Sequence, residues 1–336
     1  MEKIVLGLSG GVDSAVAAVL LKEQGYEVHC LWLDIGLGGG GDAEALAEKL
    51  NLPFAKGDIR EALEREVCAP FVRDYLSGRT PLPCARCNPT VKFQALLDYA
   101  DTIGAEWVAT GHYARVEDGV LYRGREANDQ AFLLARLPKS ILRRVKFPLG
   151  GFEKTEVRAM AEQMGLPVAH KPDSMEICII PDNDYAGWIE RRGEVPPPGD
   201  FVDANGKVLG CHKGIHCYTL GQRRGLGIPA EHRLFVSAIL PETNQVVLSD
   251  GGDLYTDFVQ GVEPNWIGME EPEASVECEV RLRHSKTAVP AVISLNGEGG
   301  VDIALRTPGR APTPGQLAVF YDGDRVLGSA WIEGKK

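Results

Sequence analysis

The segment SGGVDS, Ser9–Ser14, constrains this chain most, because of what flanks it. Before it, Lys3–Leu8 (KIVLGL) is a short apolar, β-branched run that reads as a buried parallel strand. After it, AVAAVLLKEQG is rich in Ala and Leu and stops at Gly25, a helix C-cap signal. Tyr26–Leu33 (YEVHCLWL) reads as a second strand. The chain therefore opens with a βαβ unit whose first strand ends in a glycine turn. Two glycines let backbone N–H groups approach an anion closely and adopt positive φ. The serines add hydroxyl donors, and the next helix points its positive end at the same place. A phosphate or pyrophosphate fits there, with Asp13 placed to assist through Mg²⁺. The loop lacks the lysine of GxxxxGK[ST], and it is not GxGxxG.

The alternation continues. Gly38–Gly41 reads as a flexible loop, Ala43–Leu50 as a helix, Phe54–Asp58 as a third strand and Ile59–Leu76 as helical. Gly78–Phe93 (GRTPLPCARCNPTVKF) is rich in Pro and polar residues and is expected to be a loop. Gln94–Ile103 is a helix and Trp107–Thr110 a strand. Strands alternating with helices imply an α/β fold with a doubly wound parallel sheet. Lys154–Met164 is an amphipathic helix ended by Gly165. Beyond the Pro-rich break at Gly193–Asp200, β-like runs dominate: Leu234–Ile239, Gln245–Leu248, Val276–Leu282, Val289–Leu295 and Leu317–Tyr321. Asn205-Gly206, Asn296-Gly297 and Asp322-Gly323 mark hairpins. The expected division is 1–194, then a small central domain at 195–255, then a C-terminal β-barrel at 256–336.

A length of 336 residues suits two domains or three small ones. No apolar run approaches the roughly 20 residues that span a bilayer, and the N-terminus lacks a secretory-signal layout. A cytoplasmic protein without membrane association is expected. The net charge of −11 argues against wholesale nonspecific nucleic-acid binding. A local basic groove stays compatible with it, because binding follows the local field. Basic clusters occur at Lys139, Arg143, Arg144 and Lys146, at Arg191-Arg192, at Arg223-Arg224, and at Arg281, Arg283, His284 and Lys286. Solvated surface explains any one of them; four on an acidic chain keep a polyanion partner in play.

Eight cysteines in a cytosolic chain are not expected to form a disulfide framework. Cys84 and Cys87 form a CxxC pair, which suits redox chemistry or half a metal site. There is no second CxxC, and the pair sits on a Pro-rich stretch, which disfavours a zinc ribbon and thioredoxin chemistry. Cys178, beside Asp173 and Ser174, reads by itself as a buried strand cysteine, as do Cys30 and Cys278. Cys68 falls on a helix. Cys211 and Cys217, around His212 and His216, have the residue types of a metal site but read rather as part of a β-hairpin.

Several blocks then line up in order. SGGVDS resembles the PP-loop of ATP pyrophosphatases, which cleave ATP between the α- and β-phosphates. TPLPCARCN (Thr80–Asn88), ATGHYAR (Ala109–Arg115), FPLGGFEKTEVR (Phe147–Arg158), DSMEICII (Asp173–Ile180), YTLGQRRGLGI (Tyr218–Ile228) and PGQLAVFYDGDRVLG (Pro314–Gly328) follow. Together they resemble the tRNA-specific 2-thiouridylases of the MnmA family, over nearly the whole chain. The resemblance implies ATP- and Mg²⁺-dependent 2-thiolation of the wobble uridine of tRNA. The C2 carbonyl oxygen would be adenylated, and sulfur would then displace AMP. It implies ATP contacts from Gly7, Leu8, Ser9, Gly10, Gly11, Val12, Asp13, Ser14, Leu33 and Gly111. It implies Cys87 as nucleophile and Cys178 as the cysteine that receives a persulfide. Leu82, Pro83 and Cys84 would neighbour the target base. Asn128, Asp129, Gln130, Arg283 and His284 would contact tRNA. Cys84, Cys87 and Cys178 could alternatively hold a [4Fe–4S] cluster with one open iron. The sulfur would come from a persulfide carrier, a cysteine desulfurase or sulfide. Asn128 stands where the family commonly has lysine. A different PP-loop sulfurtransferase or synthetase, or a non-catalytic RNA-binding paralogue, is the alternative.

Overall fold

The computed structural model describes residues 1–125, 128–172, 177–284 and 287–334. Asp173, Ser174 and Lys286, singled out above, lie outside the described residues. The N-terminal part is built on a five-stranded parallel sheet. Its strands are β1 (Lys3–Gly7), β2 (Glu27–Asp34), β3 (Phe54–Asp58), β4 (Trp107–Ala109) and, after an antiparallel hairpin β5–β6 (Ala114–Glu117 and Val120–Arg123), β7 (Val145–Lys146). The order β3-β2-β1-β4-β7 puts the first strand in the middle, with β2 on one side and β4 on the other. The chain thus reverses direction across the sheet between β1 and β4, which opens a crevice at the carboxyl ends of those strands.

Helices cover both faces. Along β1, Ile4 and Leu6 pack into the core with α1 (Val12–Glu23) and α2 (Gly40–Leu50), while Val5 packs into the opposite core with Phe93 and Leu96. All three are fully buried. That two-sided burial is why the strand reads as a continuous apolar run rather than an alternation.

Ile59–Leu76 is helical, as expected, with a π-turn at Glu64–Cys68 between α3 (Arg60–Leu63) and α4 (Ala69–Leu76). Pro70, which cannot donate to the helix ladder, follows that turn directly. The loop expected at Gly78–Phe93 is not a loop throughout. Pro83–Cys87 forms a short helix α5, Asn88–Lys92 a π-turn, and Phe93–Ile103 the helix α6. Pro83 stands in the first turn of α5, where a missing N–H costs nothing. Prolines here start helical turns rather than forbid them.

The central part is a four-stranded sheet of Gly199–Val202, Val208–His212, Phe235–Leu240 and Gln245–Ser249. The C-terminal part has six strands, Tyr255–Trp266, Val276–Arg281, Val289–Leu295, Val301–Arg310, Leu317–Asp322 and Arg325–Gly334. Its first strand pairs with both Val301–Arg310 and Arg325–Gly334, so the sheet closes on itself as a barrel. The hairpin β5–β6 joins that barrel sheet, through Tyr122 opposite Arg325. A segment from the first expected domain therefore completes the third. No helix among the described residues is long and apolar enough to cross a membrane.

Candidate active site

The glycine loop leaves β1 and enters α1 at the middle of the sheet. Gly10 has φ +77°, a left-handed conformation that glycine adopts freely. A Cβ there would also lie 3.1 Å from the Ala43 amide nitrogen. Gly11 caps α1, whose first amides have no partner within the helix and face outward. The exposed Ser9 and buried Ser14 share a hydrogen bond at 3.1 Å, and the Ser14 hydroxyl donates to the Gly11 carbonyl at 3.1 Å. These bonds hold the loop open as a backbone-lined anion cradle.

Residues after β4 form the second wall. A Cβ on Gly111 would lie 2.9 Å from the Asp13 carbonyl carbon and 3.0 Å from the Ser14 nitrogen. Only glycine allows this approach to the loop. Asp13, in the first turn of α1, accepts a hydrogen bond from the Tyr113 hydroxyl at 2.6 Å. Lys154 reaches both of its carboxylate oxygens at 2.6 Å. Lys171 donates to the Gly10 carbonyl at 3.1 Å and to Asp42 at 2.7 Å. Each lysine is paired with a carboxylate, so the positive potential at the loop comes from its own N–H donors. Leu33, at the end of β2, is half-buried.

The cysteines gather beside this wall. Cys84 and Cys87 are one turn apart on α5, so their thiols share a face. Burial pushes the Cys87 thiol up to about 11, with Lys92 opposing it and Cys178 and Cys84 adding to it. Burial likewise raises Cys84, where Lys92 again opposes and Cys178 adds. The three thiols are thus near enough to feel one another's charge. Cys178 itself is exposed on a turn, not buried in a strand as its apolar surroundings suggested. Its neighbours Ile179 and Ile180 are buried in the cluster against which Cys87 packs. Cys30 is a buried strand cysteine, as expected, and Cys278 is a half-buried one.

Lys92 ties the two halves together. Its charge bears on Cys84 and Cys87, and also on His112, which follows Gly111. His112 is held neutral chiefly by burial, beside Phe93 and Phe147, with its Nδ1 2.6 Å from the Thr110 hydroxyl. Lys92 thus acts on both the thiols and the segment that follows Gly111.

The segment before α5 is clamped by all three parts of the chain. The Thr80 amide donates to the Pro314 carbonyl at 2.8 Å, and the Gln316 side chain donates to the carbonyls of Thr80 and Pro81. The Thr80 hydroxyl meets that of Thr219 in the central part at 3.4 Å. Arg86 lies over the Trp331 ring of the barrel. Leu82 is half-buried and Pro83 buried. Asn88 is fully buried and donates to the Leu133 carbonyl at 2.9 Å.

The expected RNA-contacting residues divide. Arg283 and His284 are exposed, and the His284 ring meets Phe132. Asn128 is half-buried. Asp129 does not present a carboxylate to solvent. It accepts from the Gly124 and Ala131 amides and from Arg281 at 2.8 Å, with only 2% of its side chain exposed. Gln130 accepts from the Tyr113 amide at 2.9 Å. Asp129 and Gln130 therefore fasten the barrel and the Tyr113 segment rather than project outward. Of the residues near the cysteines, His212 bonds the Asn244 carbonyl, while His216 stands 3.2 Å from Glu190 and 3.5 Å from the Cys217 sulfur. Cys211 and His212 end a strand, but Ile215–Cys217 is a 3₁₀ turn rather than hairpin.

Lys92, Lys154, Lys171 and Tyr113 were not singled out from the sequence. Tyr113 and Lys154 lie within the blocks noted there and Lys171 two residues before one, but nothing local says which way a side chain points. The roles of these three come from contacts across 100 residues or more, whereas Lys92 acts on residues within 20 positions of it.

Comparison with known proteins bears on this arrangement. Residues 2–182 match the family described as tRNA methyl transferase HUP domain. Residues 187–250 match the tRNA methyl transferase PRC-barrel domain, and 257–332 the aminomethyltransferase beta-barrel domain. The chain is 40% identical to the tRNA-specific 2-thiouridylase MnmA of Carboxydothermus hydrogenoformans, covering 99% of this chain and 98% of that protein. It is 42% identical to the protein of that name in Acidithiobacillus ferrooxidans, over 99% of both. The figure for Heliobacterium modesticaldum is 43%, over 98% of this chain and 92% of the relative. With 40 to 43% identity to these relatives over nearly the whole of each chain, the chain belongs to the MnmA family of tRNA-specific 2-thiouridylases.

Proposed function

We propose that this protein is an ATP-dependent tRNA sulfurtransferase that replaces the C2 oxygen of the wobble uridine by sulfur. The observation that supports this reading is the glycine loop entering α1 after β1, together with Cys84, Cys87 and Cys178 close enough for their charges to interact. Methyl transfer, which the names of two matched families mention, needs neither a phosphate cradle nor a thiol set.

A uridine carbonyl oxygen is a poor leaving group. Attack of that oxygen on the α-phosphate of ATP makes it part of AMP, a good one, and expels pyrophosphate. The amides of the first turn of α1, with Ser9 and Ser14, are placed to take the pyrophosphate charge. Contacts with Lys154 and Tyr113 fix Asp13, which would have to exchange its Lys154 contact to hold a Mg²⁺ that neutralises the phosphates. The outer sulfur of a Cys178 persulfide then adds at C2 and AMP departs. The Cys87 thiolate cleaves the S–S bond, which leaves sulfur on C2 and a Cys87–Cys178 disulfide that an external thiol reductant must reopen. Thiolates rather than thiols attack, so the exposed Cys178 is suited to receive sulfur and the more enclosed Cys87 to release it onto the bound base. The base must leave its stack to reach this enclosed place. Leu82 and Pro83, at the head of α5, are placed to pack against it.

Thiolates are the donors a [4Fe–4S] cluster takes; Cys84, Cys87 and Cys178 would hold it, and its open iron would bind sulfide. In the persulfide route Cys84 is a spare thiol. In that route a persulfide carrier or a cysteine desulfurase would supply sulfane sulfur by exchange, whereas sulfide would serve only the cluster route. Anaerobically purified protein, assayed for iron and sulfide, separates the two. The same sample is then incubated with ATP, Mg²⁺, a sulfur source and an unmodified anticodon stem-loop. Thiouridine seen by mass spectrometry supports the reading. Its absence with both sulfide and a persulfide donor overturns it.

A further inference from the structure

A cleft of about 650 Å³ opens where the parallel-sheet part meets the barrel. Four arginines line it, Arg115, Arg123, Arg125 and Arg281, against one carboxylate, Asp324. Arg115 and Arg123 come from the β5–β6 hairpin and Arg281 from the last residue of a barrel strand. The cleft thus exists only because the hairpin joins the barrel sheet.

The arginines form two tiers. At the base, Arg281 has 6% of its side chain exposed and bonds Asp129, while its Nε has no acceptor. Arg123, 17% exposed, lies 3.9 Å over the Tyr321 ring, and its Nε and one Nη lack acceptors too. Glu279 stands 3.8 Å from that Nη, beyond hydrogen-bond reach. Buried guanidinium groups short of acceptors leave positive potential in the space beside them. At the rim, Arg115 bonds Asp324 at 2.9 Å and Glu117 at 3.2 Å. Arg125 is half-exposed and faces Glu153 at 3.9 Å and Glu156 at 3.7 Å, too far to use its donors. Gly150 packs tightly in the wall, where a Cβ would clash with the Ala114 carbonyl oxygen.

We propose that this cleft binds a phosphate group, gripped by Arg125 and favoured by the field of Arg123 and Arg281, with Arg115, whose three nitrogens donate to the Arg123 carbonyl, Glu117 and Asp324, framing the rim. A guanidinium fork matches phosphate oxygens in pairs, which a lysine does not. Two sources share that chemistry, a backbone phosphate of an RNA and free phosphate or pyrophosphate. The RNA backbone fits better, because Arg283 and His284, exposed just beyond Arg281, continue the same basic edge. That choice rests on tRNA being the substrate; the phosphate site does not.

The test uses the full chain and the variants Arg125→Ala, Arg125→Lys and Arg115→Ala, with thermal melting to confirm folding. Binding of unmodified tRNA is measured across a salt series. Arg125→Ala should weaken it about tenfold at low salt and reduce the slope of log K against log salt by about one. Arg125→Lys should restore the slope but not the full affinity. In a second arm, inorganic phosphate and pyrophosphate are titrated against wild type and Arg125→Ala. Saturable, Arg125-dependent binding with unchanged tRNA affinity assigns the site to the free anion. If wild type binds phosphate but no tRNA, the substrate reading fails and the site stands. If Arg125 and Arg115 alter neither tRNA nor phosphate binding, the proposal is overturned.

Discussion

Lys154 Nζ lies 2.6 Å from both carboxylate oxygens of Asp13, across 141 residues of chain. Lys154 is the first residue of a helix whose N-cap, Glu153, makes a capping box with Glu156. The cap fixes where that helix starts, and so where the ammonium stands. The pair is partly buried, with 18% of the lysine and 32% of the aspartate side chain exposed. Its worth to stability is accordingly modest, about 1 kcal/mol. Its worth to positioning is larger. Lys154→Ala should lower tRNA-dependent ATP–pyrophosphate exchange by about tenfold to a hundredfold while the melting temperature shifts little. Exchange equal to wild type would remove Asp13 positioning from the account.

Gly111 gives a sharper test of the cradle. A Cβ would press on Asp13 and Ser14 backbone atoms at 2.9 and 3.0 Å, and backbone cannot swing aside as a side chain can. Gly111→Ala should cost about 1–3 kcal/mol of stability and displace the loop. ATP protection against thermal unfolding should fall with it. Gly151→Ala, where a Cβ meets nothing within 4 Å, is the control for helix-free glycine replacement and should melt like wild type.

These two walls differ in how far they could be read from the sequence. The loop, its strand and its helix are contiguous, so βαβ periodicity and glycine chemistry disclose them together. The parallel sheet follows for the same reason. The Pro-rich stretch around Cys84 and Cys87 misleads, because proline opens a helix as readily as it ends one, and the position decides which. Asp129 misleads differently. A polar run between β6 and a helix reads as exposed, yet the carboxylate is buried by Arg281, 152 residues away. The passage of β5–β6 into the barrel sheet is likewise a long-range event with no local mark.

The Asp129–Arg281 pair also predicts its own energetics. Both side chains are nearly enclosed, at 2% and 6% exposure, and Asp129 accepts two backbone amides besides. Asp129→Ala strands a buried guanidinium and should destabilise the protein by about 3–5 kcal/mol. Replacing both residues by apolar ones of similar volume should cost much less. Denaturant melts of the single and double variants give the coupling directly. Purely additive losses would mean that the pair is not a unit.

The cysteines differ in access and in ionisation, and alkylation reads both. Burial holds Cys87 to about 11, so almost none of it is thiolate at neutral pH. Its reaction with iodoacetamide should therefore rise about tenfold per pH unit from pH 7 to 10, without a plateau. Cys178, exposed on its turn, should be labelled first. Lys92 pulls against burial at both Cys84 and Cys87. Removing it in Lys92→Ala should slow labelling of Cys87 at every pH below about 10, and Lys92→Arg should restore it. Thiouridine formation should follow the same order, because the same thiolate attacks in both reactions. Labelling of Cys87 that is fast and flat from pH 7 would show a thiol already ionised, and would place its activation elsewhere than in Lys92.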